Sequence, residues 1–281
     1  MSASFARCAR QSECRTVPAE ARAPSGIAPR AQRSLRPSAV AAQVTAGRHG
    51  RRQAIAVLAT ITAFGWRRRA VAAEMPAGEF LEATGATVAV ILAHGQGLDP
   101  DSQVVSPLRK AIHRELGWHT LSLQMPVLPG PPSRSQERFL AYAETFPEAF
   151  RRIQAGIDFL HDDLHVRRIY LMGYSMGGRM TTAFLASHPQ PGLVVGYIGV
   201  GLVASGPEPL NSNLSLRRIH VPVLDVYAED DMDARFAAAR RTFMAGWMTQ
   251  VPIAGARHDY RGYEDEIVRA VVAWLRRQER R

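Results

Sequence analysis

Past about residue 76 the apolar positions fall into two alternating patterns. Continuously apolar runs at 87–93 (TVAVILA), 168–172 (RIYLM), 193–200 and 221–228 (VPVLDVYA), with 119–124 (HTLSLQ) and 248–253, predict strands, several of them buried on both faces. Between them, spacing near 3.6 predicts helices at 105–116, 137–164, 177–187, 234–247 and 263–277. In the last, Ile267, Val268, Val271, Val272, Trp274 and Leu275 form one stripe, and Pro147 is expected to interrupt the second. Strands and helices alternating in this way predict an α/β fold, a mostly parallel sheet with helices on both faces. No internal repeat or interdomain linker divides the region, so 76–281 reads as one domain.

The first 73 residues read differently. Up to Gly47 they are rich in Arg, Ala, Ser and Pro with no apolar period, too little apolar surface for a core. Arg51 and Arg52 then precede the apolar run 54–65 (AIAVLATITAFG), followed by Trp66, three arginines and an A-x-A end at 70–73. A basic segment, a short apolar run and a small-residue end make an export signal, and the paired arginines resemble a twin-arginine leader. The run is too short to span a bilayer as a helix. The expectation is a disordered leader over 1–73, read by export machinery, and an exported protein in a bacterial periplasm. The alternatives are an organelle lumen reached through a transit peptide, a start codon further downstream, and a short buried helix with basic flanks.

Charge changes meaning once this boundary is drawn. The chain carries +10 overall, but residues 1–73 hold 13 Arg against only Glu13 and Glu20, so the domain itself is close to neutral. Nucleic-acid binding is therefore not expected, because that needs a basic face on the fold and aromatic residues to stack on bases. Cys8 and Cys14, the two cysteines, also lie in the leader, which leaves the domain without disulfide or thiol chemistry.

In parallel sheets chemistry gathers at the carboxyl ends of the strands. The run 168–172 leads into Gly173-Tyr174-Ser175-Met176-Gly177 and then a helix. A G-x-S-x-G pentapeptide between strand and helix can hold a serine Oγ clear of the sheet on a tight turn, which tolerates only small residues at Gly173 and Gly177. At the end of 87–93 stands His94-Gly95-Gln96-Gly97, where glycines allow the Gln96 N–H to face a developing oxyanion, with the Met176 N–H as second donor. His94 precedes the serine and is expected to be scaffold. The last two strands end at the acidic run 229–233 (EDDMD) and at Gly255-Ala256-Arg257-His258-Asp259. In the order serine, acid, histidine, His258 becomes the base for Ser175. Register three residues past Ala228 favours Asp231 as its carboxylate, with Asp230 next and Asp225, inside a strand, behind them. The remaining acids would favour the dipole of the following helix. No metal-ligand spacing and no cofactor motif is found.

The stretches LAHGQG, GWHTLSLQMP, GYSMGG, VLDVYAEDD and GARHDYRGYEDEIVRAVVAWL resemble the α/β-hydrolase superfamily, serine esterase type, and within it a bacterial subfamily of undefined role. The resemblance spans roughly two thirds of the chain, counted from Val88. It implies a single-domain α/β-hydrolase fold with Ser175 as nucleophile, His258 as base, Asp231 as acid, and Gln96 and Met176 as oxyanion donors. It departs from many relatives in having Ala228 where they carry glycine. It implies cleavage of a small carboxylic ester or thioester, with no cofactor. Another acyl-transfer activity, as in a peptidase or acyltransferase, or a non-catalytic binding protein would use the same fold. The short connection between 200 and 221 leaves no room for a large cap domain, and the Pro-rich stretch 125–136 is expected to rim an open cleft.

Overall fold

A computed structural model describes residues 74–130, 135–244 and 246–280; the expected leader lies outside them. The chain forms a seven-stranded sheet of β1 (Gly78–Leu81), β2 (Val88–Ala93), β3 (His119–Leu123), β4 (Arg168–Tyr174), β5 (Val194–Val200), β6 (Val223–Ala228) and β7 (Met248–Ile253). Their order across the sheet is β1-β3-β2-β4-β5-β6-β7, with β1 antiparallel to β3 and every other pairing parallel.

The continuously apolar runs are explained by the two cores they serve. Along β2, Ala89, Ile91 and Ala93 point to one face while Val90 and Leu92 point to the other, and all five are fully buried. On the first face lie α3 (Phe146–Asp158) and α4 (Met176–Ser187), through residues such as Ile153, Ile157, Met180 and Phe184. On the second lie α1 (Val105–Leu116) and α7 (Glu264–Gln278), where Leu108 and Ile112 meet the predicted stripe of Ile267, Val271, Trp274 and Leu275. Burying a Leu or Ile side chain contributes roughly 1.5–3 kcal/mol, so each face is held by many such contributions.

Three elements differ from the sequence reading. The strand β1 was not anticipated, because in its four residues only Phe80 and Leu81 are apolar and it lies at the sheet edge. The helix expected over 137–164 is broken into α2 (Gln136–Ala141), a 3-10 turn (Tyr142–Thr145), α3 and a π turn (Phe159–Asp163). The interruption expected at Pro147 is present: the break falls just before it, and Pro147 stands in the first turn of α3, where its missing N–H is not needed. The helix expected to reach 247 is α6 (Ala234–Phe243), which ends earlier. Between β5 and β6 the chain adds only α5 (Ser212–Leu216) and irregular segments, so there is no large cap domain. Among the described residues no helix is long and apolar enough to cross a membrane.

Candidate active site

The ends of β4, β6 and β7 bring three predicted regions together. Ser175 follows directly on β4 with φ 53° and ψ −114°, a backbone state costly for a side-chain-bearing residue and maintained only where the surroundings impose it. Those surroundings are close contacts that exclude side chains. A Cβ on Gly177 would lie 2.3 Å from the carbonyl oxygen of Ala93 and 2.4 Å from that of His94. One on Gly173 would lie 2.3 Å from Thr181 Oγ1 and 2.5 Å from Gly178 Cα. Both expected glycines are thus required by contact of the turn with β2 and with its own helix.

His258 lies in the loop after β7, and its Nε2 is 2.8 Å from Ser175 Oγ. Its Nδ1 is 2.5 Å from Oδ2 of Asp233, whose side chain is almost fully buried. The expectation for Asp231 is corrected here. Asp231 does not meet the imidazole nitrogens; its Oδ2 accepts the backbone N–H of His258 at 2.9 Å and its Oδ1 accepts that of Asp233 at 3.0 Å. Asp230 is exposed. Asp225 is buried elsewhere, accepting Arg240 Nε at 2.8 Å and Nη2 at 2.9 Å. In the sequence Asp233 is one of the acids expected to favour the dipole of the following helix. It does stand at the N-cap of α6, yet its side chain makes no capping bond and turns to His258 instead. Register counted from Ala228 does not see this, because Asp231 forms a turn that carries the chain two residues further before a carboxylate faces the imidazole.

Burial acts most strongly on His258 and pushes its pKa down. The hydrogen bond and charge of Asp233, with the charge of Asp231, outweigh that effect, and the pKa is raised overall. Tyr174 braces His258: its hydroxyl donates to the His258 carbonyl at 2.9 Å, and its ring stacks on the imidazole with centroids 5.7 Å apart. Burial raises the Tyr174 pKa, so the phenol stays a donor.

The loop after β2 is held by His94. Its Nε2 accepts the Met125 N–H at 2.9 Å, which places the proton on Nδ1, 2.9 Å from the Gly95 carbonyl oxygen. Burial lowers its pKa, in keeping with a neutral ring. His94 is scaffold, as expected, and it ties the Gly95-Gln96 turn to the chain leaving β3. Met176 occupies the first position of α4, where an N–H has no intrahelical acceptor. Gln96, half-buried, follows the two carbonyls on which Gly177 packs.

Arg179, one turn after Ser175 and almost fully buried, was not singled out from sequence. It donates to the Ser205 carbonyl at 2.7 Å, to Ser205 Oγ at 3.0 Å and to the Leu210 carbonyl, with Phe139 over its guanidinium at 4.6 Å. It ties the connection after β5 to α4. In the Pro-rich stretch expected to rim a cleft, Arg138 donates to the carbonyls of Leu128 at 2.8 Å and Pro129 at 2.9 Å; residues 131–134 lie outside the description. The oxygens of Asp231 and Asp233 and a nitrogen of His258 lie within 4.8 Å of one another, a spacing a cation could use. Each of the three side chains is already engaged in the hydrogen bonds given above.

A doubly covered parallel sheet thus carries a strained serine between strand and helix, joined by hydrogen bonds to a histidine and an aspartate from later loops. The chain belongs to the alpha/beta hydrolase domain family, which it matches over residues 86–266, more than half its length. Solved structures share the fold at low identity. An α/β serine hydrolase without a lid from Xanthomonas campestris is 15% identical, with 72% of this chain and 87% of that one covered and a TM-score of 0.54. Est1E from Butyrivibrio proteoclasticus with ferulic acid bound is 17% identical, covering 72% and 95%, with a TM-score of 0.55. An α/β serine hydrolase homologue from Coxiella burnetii is 20% identical, covering 70% and 89%, with a TM-score of 0.52. No curated protein matches the chain in sequence.

Proposed function

We propose that the protein is a serine hydrolase that cleaves a small carboxylic ester or thioester through an acyl-enzyme on Ser175. The observation that carries this is the line of hydrogen bonds from Ser175 Oγ through both His258 nitrogens to Asp233. In that reading His258 Nε2 takes the hydroxyl proton as Oγ attacks the carbonyl carbon, and Asp233 holds the tautomer and stabilises the imidazolium. The N–H groups of Gln96 and Met176 receive the oxyanion. His258 then gives its proton to the departing alcohol or thiol, and water, deprotonated by the same nitrogen, releases the acid. The short connection between β5 and β6, which carries no cap, supports a directly accessible substrate. The twin-arginine-like leader supports an exported enzyme in a bacterial periplasm; a mature chain from the native host that still began near Met1 would remove that part.

The test is turnover of p-nitrophenyl acetate by wild type and Ser175→Ala, with circular dichroism to confirm folding. Loss of turnover with the fold intact is expected. Wild-type turnover by the alanine variant would overturn the assignment.

A further inference from the structure

Asp231 lies beside the reacting groups yet touches none of them. The loop carrying Asp233 and the loop carrying His258 meet in two tiers. Near the sheet, the Glu229 N–H donates to the Ile253 carbonyl and the Asp230 N–H to the Ala256 carbonyl, both at 3.1 Å. At the level of the side chains the link is the Asp231 carboxylate. One oxygen accepts the N–H of Asp233 and the other the N–H of His258, at 3.0 and 2.9 Å. One rigid planar group thus fixes the backbone of the acid and of the base against each other. Met232, between the two aspartates, is 66% exposed, so the turn has no apolar packing of its own at its tip.

We infer that Asp231 is a positioning residue: its bridging carboxylate sets the separation of Asp233 from His258 and through it the aim of His258 at Ser175. The inference rests on the serine hydrolase reading. A displacement of about 1 Å at such a site costs roughly 100-fold in rate, and the bridge restrains displacements of that size. Asp231 also acts by charge. The groups facing the His258 ring are Asp233 and Asp231 from the acid loop, Ser175 and Arg179 from the start of α4, and the Tyr174 ring at the end of β4. The two aspartates favour the imidazolium and Arg179 opposes it. Removing the Asp231 charge therefore lowers the pH at which the base becomes neutral.

The rate at which a fluorophosphonate labels Ser175, followed against pH, tests this on the full chain without needing the natural substrate. Asp231→Ala, which loses both bonds, is expected to be labelled about 100-fold more slowly. Asp231→Asn keeps the shape and one carbonyl acceptor, so it loses less and guards against a folding defect in the alanine variant. In both, the rise of rate with pH moves to lower pH, which a purely structural loss would not produce. Labelling of Asp231→Ala at the wild-type rate with an unmoved pH profile would overturn the inference and leave the hydrolase reading standing. If wild type is not labelled at all, the hydrolase reading fails first. If Asp231→Asn is silent while Asp233→Asn is near wild type, Asp231 is itself the partner of the base and the positioning role is wrong.

Discussion

Asp225 and Arg240 form an ion pair with no exposed side-chain surface, and it tests whether the site's foundation is understood. Asp225 accepts Arg240 Nε and Nη2 and also Gln250 Nε2 at 2.8 Å. Arg240 Nη1 reaches the Leu202 carbonyl at 3.2 Å and Asn213 Oδ1 at 3.1 Å. Leu202 packs behind the Ser175 turn, where a Cβ on Gly178 would come within 2.6 Å of it. Asp225→Leu leaves a buried guanidinium without its counter-charge, which costs about 3–5 kcal/mol. For a fold of this size, at 2–4 °C per kcal/mol, the melting temperature should fall by roughly 6–20 °C. Adding Arg240→Met removes the stranded charge and leaves neutral acceptors such as the Leu202 carbonyl unpaired, at about 1–3 kcal/mol. The double variant should therefore be more stable than Asp225→Leu alone, as read by urea unfolding. Because Asp225 does not touch His258, hydrolysis per folded molecule should stay close to wild type. A double variant no more stable than the single one would refute the reasoning about the pair. Loss of activity in a folded Asp225 variant would return Asp225 to the catalytic candidates.

Gly177→Ala should destabilise the fold by about 1–3 kcal/mol or more, because the new methyl meets the backbone oxygens of Ala93 and His94; an unchanged urea midpoint would contradict that contact. Since Asp233 and Asp231 hold the His258 pKa above its ordinary value, kcat/KM should rise with pH through a midpoint above that of free histidine, and a midpoint below it would show that burial wins. Short acyl esters should be hydrolysed without a lag and without a jump in rate at the micellar threshold, because the β5 to β6 connection carries no cap. A jump there would reveal a mobile cover.

How much of this was legible in the sequence follows from how local each feature is. The six parallel strands and the α7 stripe were readable because burial on both sheet faces, or on one helix face, writes itself directly into apolar spacing. The serine turn was readable because steric exclusion at Gly173 and Gly177 writes itself into glycine. β1 was not, since an edge strand of four residues with two apolar positions carries almost no period. The carboxylate facing His258 was only half legible. The sequence pointed past β6 to Asp231, with Asp230 next and Asp225 behind; that Asp233 meets the imidazole depends on which carboxylate the turn aims at a loop about 25 residues further on. Arg179 escaped for a similar reason, because Ser205 and Leu210 lie in the irregular connection after β5 and Phe139 comes from α2, about 40 residues before it in the chain.

If Ser175 is a nucleophile activated by His258, an electrophilic phosphonate will be captured on it. The full chain treated with a fluorophosphonate should gain the mass of one phosphonyl group, located by peptide mass spectrometry on Ser175, and the Ser175→Ala protein should gain none. A folded wild-type protein that remains unmodified, or an adduct on another residue that persists in Ser175→Ala, would contradict the account.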